Sequence, residues 1–108
     1  MTFQVRVTAE AKRDLLDITR FLHAREGEEE ALRHLTRLEQ AMASLATLPE
    51  RGNHPPELER VGVLTYRERH EPPWRVIYEV SGEFVYIHAV LDARRDIQSL
   101  LTRRVLRH

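Results

Sequence analysis

Cysteine is absent from this 108-residue chain, which excludes a disulfide framework, a thiolate metal site and a cysteine nucleophile. Glycine is scarce, with 4 in the whole sequence, and no cluster of them forms a loop that could cradle a phosphate. Net charge is missing too. The 17 basic residues balance 17 acidic ones, so bulk electrostatics points to no nucleic-acid partner. No apolar run approaches membrane-spanning length. The opening residues lack the basic, apolar, small-residue order of a secretory leader, so a cytoplasmic location is expected. Lysine is nearly absent as well: Lys12 stands alone, and the other basic residues are arginines. Arginine presents a planar fork of donors suited to carboxylates and phosphates, although GC-rich coding alone can produce such a bias.

What is present describes an ordinary globular chain. Apolar residues at 42% against 31% charged separate it from disordered sequences, and the length fits a single domain over residues 1–108 with one core. Phe3 to Val7 alternates apolar and polar as a short half-buried strand does. Thr8 then suits a helix N-cap. Ala11, Leu15, Ile18 and Leu22 share one helical stripe, widened by Phe21, and Gly27 interrupts the pattern. A second helix opens on Glu28-Glu29-Glu30, acids that suit a helix N-terminus. Its stripe is Ala31, Leu35, Leu38, Met42 and Leu45, with Leu32 and Leu48 beside it, and Pro49 and Gly52 stop it. Pro55-Pro56 marks an irregular segment over 49–62, tacked down by Leu58 and with room for a short helical turn. Three strands follow: Val63 to Arg69, Trp74 to Val80 and Phe84 to Leu91. The last is apolar on both faces, as a central strand is. Ile97, Leu100, Leu101 and Val105 then predict a C-terminal helix over about Asp92 to Arg107. The order β-α-α-β-β-β-α predicts an α+β fold, a helical hairpin packed on one face of a small antiparallel-rich sheet.

Alternation along the strands places Arg6, Arg67, Arg69 and Arg75 together on the face the helices leave open. Four arginines there repel one another unless water, an acid such as Glu79 or an anionic partner neutralises them. A solvated outer face and a binding face are equally compatible with the spacing. Tyr66, Tyr78 and Tyr86 are expected to point to the core, and residues 94–108 are locally basic. Six histidines raise the question of a metal, but His70-Glu71 is followed by Pro72-Pro73 rather than by a second histidine one turn on, so no metal site is expected. His88, on an apolar strand, reads as structural. Ser44, Ser81 and Ser99 lie on helices or a hairpin turn, away from any nucleophile elbow. A metal-free ribonuclease needs cations for the developing phosphorane together with a base and an acid. Arg67, Arg69, Arg75 and Arg94 could supply the cations, while Glu68, Glu71, His70 and His88 are weaker candidates for proton transfer.

Several residue groups in their order along the chain resemble the RelE/ParE family of bacterial toxin–antitoxin toxins. They are Val5-Arg6-Val7-Thr8 before Ala11 and Asp14-Leu15, Ala31 with Leu38 and Leu45, Leu48-Pro49 with Arg51-Gly52, Tyr66-Arg67-Glu68, Trp74-Arg75-Val76-Ile77-Tyr78, and Val85 to Val90 leading into Arg94-Arg95-Asp96. The resemblance implies the same hairpin-on-sheet fold, no cofactor, and a cognate antitoxin that masks the active surface. RelE-like members are ribosome-dependent messenger-RNA nucleases whose basic residues match Arg67, Arg69, Arg75 and Arg94 or Arg95 here. Their C-terminal tyrosine has no counterpart: Leu100 stands near its place and no tyrosine follows Tyr86. Arg94-Arg95-Asp96 and Leu100-Leu101 through Arg103-Arg104 look more like the ParE branch, whose members poison DNA gyrase. The resemblance therefore implies a non-enzymatic, gyrase-directed toxin, with a RelE-like endoribonuclease and an inactive, antitoxin-binding member as the alternatives. The residues expected at the antitoxin or target interface are Arg6, Arg67, Arg69, Arg75, Arg94 and Arg95.

Overall fold

The computed structural model describes residues 2–95, 97 and 104. Along them run β1 (Gln4–Val7), α1 (Ala9–Glu26), α2 (Glu28–Ser44), a 3-10 turn (Pro49–Arg51), a one-turn helix α3 (Pro56–Glu59), β2 (Tyr66–Glu71), β3 (Trp74–Ser81) and β4 (Phe84–Asp92). The α+β order is the one the sequence predicts. Most of the expected C-terminal helix lies outside the described residues. The sheet order is β1-β4-β3-β2, with β1 parallel to β4 and the other pairs antiparallel. β4 is therefore central, which accounts for its apolar residues on both faces.

Local chemistry explains the joints. Thr8 is extended, and its hydroxyl accepts the Ala11 N–H at 3.1 Å, capping α1. Gly27, at φ 93°, ends α1 and begins α2 in a single residue. Its N–H donates to the His23 carbonyl, and its own carbonyl accepts from Ala31. α2 ends at Ser44, five residues before the expected stop at Pro49, and Leu45–Leu48 turn into the 3-10 segment.

The hairpin packs on one sheet face through Ala11, Leu22, Ala31, Leu38, Met42 and Leu45 against Trp74, Val76, Tyr78, Val85, Ile87 and Val90. Phe21, Leu32 and Leu48, expected beside the helical stripes, are instead more than half exposed. A second cluster lies on the other face: Leu58, Ile77, Ala89, Leu91 and Ile97, flanked by Val63 and Tyr66. The irregular segment carrying α3 thus folds across part of the face expected to be open. The register slips between Ile77 and Tyr78, where β4 carries His88 as an extra residue. That bulge lets β4 send Val85, Ile87 and Val90 into the first core, and Ala89 and Leu91 into the second.

β1 covers β4 only as far as Ile87. Beyond it, the outer edge of β4 is satisfied by side chains. The Val90 N–H donates to Asp14 Oδ2 at 3.0 Å, and the His88 carbonyl accepts from Arg104 Nη1 at 2.6 Å. Arg104 in turn grips both Asp14 carboxylate oxygens.

Candidate functional site

The four arginines expected on one face are divided between two. β2 pairs with β3 so that Arg67 lies opposite Tyr78 and Arg69 opposite Val76. Directly opposed residues of an antiparallel pair point to the same side, so Arg67 and Arg69 share the hairpin side with the main core. Arg75 lies opposite His70, with Glu68 opposite Ile77, on the other side. The expected common face of Arg6, Arg67, Arg69 and Arg75 is corrected by this register, which sets Arg67 and Arg69 on the side opposite Arg75. β2 begins at Tyr66 rather than Val63 and has polar residues on both faces, so alternation alone gives it no phase.

Arg75 is buried. Its Nε donates to Glu68 Oε1 at 2.6 Å, its two Nη groups meet the Glu57 carboxylate at 2.8 and 2.9 Å, and Nη1 also reaches the Arg95 carbonyl at 3.2 Å. Glu68, 1% exposed, further accepts from Asn53 Nδ2 at 2.8 Å and lies 3.3 Å from His70 Nε2. The fork of Arg75 hydrogen-bonds the Glu57 carboxyl and holds its pKa at about 2, well below the ordinary 4.5 and against the opposing effect of burial. The two carboxylates raise the Arg75 pKa correspondingly. This network ties α3 and the chain beyond β4 to the sheet and commits the Arg75 guanidinium to partners within the fold.

On the hairpin side, Arg67 Nη1 donates to the Gly52 carbonyl at 2.8 Å and Arg69 Nη1 to Ser44 Oγ at 2.9 Å. The Tyr78 hydroxyl, beneath them, donates to the Pro49 carbonyl. Burial raises its pKa, with Arg67, Arg69 and Arg51 pulling the other way. Gly52 is required here for space: a Cβ would overlap the Tyr78 hydroxyl and come within 2.6 Å of the Glu68 carbonyl. Among the described residues, Arg51, Arg67 and Arg69 have no carboxylate partner, and the buried Nε of Arg69 has no acceptor.

Arg6 is exposed on the other face, hydrogen-bonded to Gln4 and lying over the Phe84 ring at 5.4 Å. Arg94 is exposed and paired with Asp92 at 3.2 Å. Arg95, also exposed, borders a recess between α1 and the ends of β3 and β4 with Asp14, Phe21 and Trp74.

A cluster that strand alternation misses lies on the face that carries Arg6. Tyr66 and Tyr86, expected in the core, lie on the face opposite Tyr78, because each pairs across the sheet with Glu79. His88 Nε2 is 2.8 Å from Glu79 Oε1, its ring lies edge-on to Tyr66 at 5.4 Å, and Phe84 stacks on Tyr86 at 5.8 Å. Burial, and then the charge of Glu79, raise the Tyr66 pKa. The bulge that aims His88 at Glu79 leaves no simple mark in the sequence.

A helical hairpin on a four-stranded mixed sheet, with arginines on both faces and a carboxylate-held histidine on one, defines a small α+β domain. Residues 5–97 match the family model for the ParE toxin of the type II toxin–antitoxin system parDE. The chain belongs to that family. Among solved structures it is similar to a chain of the chromosomal ParDE toxin–antitoxin system from P. aeruginosa, at TM-score 0.73 and 18% identity over 84% of this chain and 96% of that one. It is also similar to a chain of the toxin–antitoxin complex RelBE2 from Mycobacterium tuberculosis, at TM-score 0.63 and 20% identity over 85% and 99%. These likenesses are likenesses of fold. No individual curated protein matches the chain.

Proposed function

We propose that the chain is a type II toxin neutralised by a cognate antitoxin, and that it acts by binding DNA gyrase rather than by cutting RNA. The observation that carries this reading is the ParE-family match over residues 5–97. The side-chain geometry supports it. The cations a ribonuclease would draw together are split between two sheet faces, and Arg75 is already held by Glu57 and Glu68. Within this reading Arg6, Arg94 and Arg95, all exposed, contact the antitoxin or the target directly. Arg67 and Arg69 contribute from the hairpin side. Arg75 is a positioning residue that holds α3 and the chain after β4 in place.

One observation favours the RelE-like alternative. His88 is held by Glu79 beside Tyr66 and Tyr86 on the face that carries Arg6, and a carboxylate-oriented histidine is a common general-base arrangement. Expression of the chain without an antitoxin separates the readings. The gyrase reading expects growth arrest, inhibited supercoiling by purified gyrase and unchanged messenger-RNA 5′ ends. New 5′ ends at codon positions with untouched supercoiling would establish the nuclease instead. Unaffected growth despite soluble expression would leave an inactive, antitoxin-binding member of the family.

A further inference from the structure

Two recesses flank Leu48 and share it and Arg51 as a common wall. One, of about 370 Å³, is lined by Arg69, His70, Asn53 and Tyr78. The other, of about 420 Å³, is apolar, between Phe3 and Pro49. Leu48 itself is 64% exposed and sits at φ 51°, ψ 56°, a left-handed conformation that a branched side chain rarely adopts. An apolar side chain held into solvent in a disfavoured backbone conformation, between a cationic and an apolar recess, suits a contact made with another molecule.

Among the described residues, the arginines of the cationic recess have no carboxylate partner. Among those residues, Arg69 spends one Nη on Ser44 and leaves its buried Nε without an acceptor, and Arg51 reaches the Leu48 carbonyl alone. Of the two acids that line the recesses, Glu68 is committed to Arg75 and Asn53, and Glu50 lies on the apolar one. We propose that the paired recesses dock a short peptide segment in which an acidic side chain neighbours an apolar one. The carboxylate takes the Arg51 guanidinium and the outer edge of the Arg69 guanidinium, both of which line the recess, and the apolar side chain enters between Phe3, Leu48 and Pro49. A nucleic-acid strand fits this surface poorly. It would set its successive phosphates against an exposed leucine and a proline, while the cationic part is one site wide. That the segment belongs to the antitoxin rests on the toxin reading above; the chemistry of the site does not.

The test is a ¹⁵N NMR titration of the full chain with N-acetyl-Leu-Glu-amide, N-acetyl-Leu-Gln-amide and oligothymidylate. The Glu probe is expected to move the Leu48, Arg51 and Asn53 amides and the Arg69 Nε–H resonance. It should bind about tenfold more tightly than the Gln probe, the difference one charge-assisted hydrogen bond makes. Arg69→Gln should abolish that preference while its melting curve reports the fold, and Arg51→Gln should reduce it if the first variant melts early. Equal response to both peptides, shifts elsewhere on the chain, or stronger binding of oligothymidylate at these resonances would overturn the proposal. Binding of the Glu probe by a chain whose expression leaves growth unaffected would sink the toxin reading and keep the site. Growth arrest with a silent titration would do the reverse.

Discussion

Arg75 holds two carboxylates whose surroundings differ, so the members of the cluster are not equivalent. Glu68 is buried in the sheet, whereas Glu57 lies at the rim on α3, with its side chain 17% exposed. Arg75→Met would fill much of the same space but leave Glu68 as a buried charge held by Asn53 and a surface histidine. Breaking a buried pair from one side typically costs about 3–5 kcal/mol, and a loss near the lower bound, about 3 kcal/mol, is expected in urea denaturation at neutral pH. A loss within the error of the extrapolation would mean that the cluster does not hold the fold. Reversing the charge at Arg75 would therefore weaken any partner through the fold before it did so through contact. Glu57 gives the same cluster a pH signature. Its folded pKa, about 2, lies below the unfolded value near 4.5, so the unfolded chain binds the proton more readily. The stabilisation is complete above about pH 4.5 and is lost as pH falls from there towards 2. The difference in urea midpoint between the native chain and Glu57→Gln should be constant at pH 6 and above, and should shrink steadily between pH 4.5 and 3. A pH-independent difference would contradict the Glu57–Arg75 assignment.

At the scale of elements, the helical hairpin turns on one residue. Gly27 at φ 93° closes α1 and opens α2, and a Cβ there would meet nothing within 4 Å. Space is not the reason for glycine; the backbone conformation is. Gly27→Ala should lower stability by about 1–3 kcal/mol, seen as a lower melting temperature with unchanged helical circular dichroism. An unchanged melting temperature would show that the joint relaxes to a negative φ. The helices were legible in the sequence because apolar spacing, an N-cap at Thr8 and a glycine joint agree with one another. Strand β2 was not, because Tyr66-Arg67-Glu68-Arg69-His70-Glu71 has one aromatic residue and no apolar alternation to reveal which side faces the core. The signal lay in the turn. Pro72-Pro73 is a two-residue connection, which sets Glu71 opposite Trp74 and hence Arg67 and Arg69 opposite the core residues Tyr78 and Val76. Hairpin geometry, rather than hydropathy, places the arginines. The open-face cluster was hidden for a different reason: the extra residue at His88 shifts the phase of β4 halfway along, so no single alternation describes the strand.

Across the whole molecule, two apolar clusters lie on opposite sides of one sheet, and the outer edge of the central strand β4 lies at their junction. β1 is too short to pair with all of β4, so Asp14 of α1 takes the place of a neighbouring strand. One of its carboxylate oxygens accepts the Val90 N–H, and both accept from Arg104, which also covers the His88 carbonyl. A single carboxylate thus connects the first helix, the centre of the sheet and Arg104. It satisfies a backbone donor that would otherwise be left unpaired in a partly buried position. Asp14→Ala would leave that N–H without its acceptor and would strip Arg104 of its bidentate carboxylate, leaving it Glu10 and the His88 carbonyl. The expected loss is about 2–3 kcal/mol, the range for buried donors deprived of a charged acceptor. Asp14→Asn should recover part of it, since an amide oxygen still accepts from Val90 but no longer carries charge for Arg104. Native-state hydrogen exchange reads the two roles separately. In Asp14→Ala the Val90 amide should exchange faster by more than the loss of global stability explains, while the Ile77 amide, within the sheet, should follow the global change. Uniform acceleration of both amides would assign Asp14 to general stability and remove its role as the local substitute for a strand.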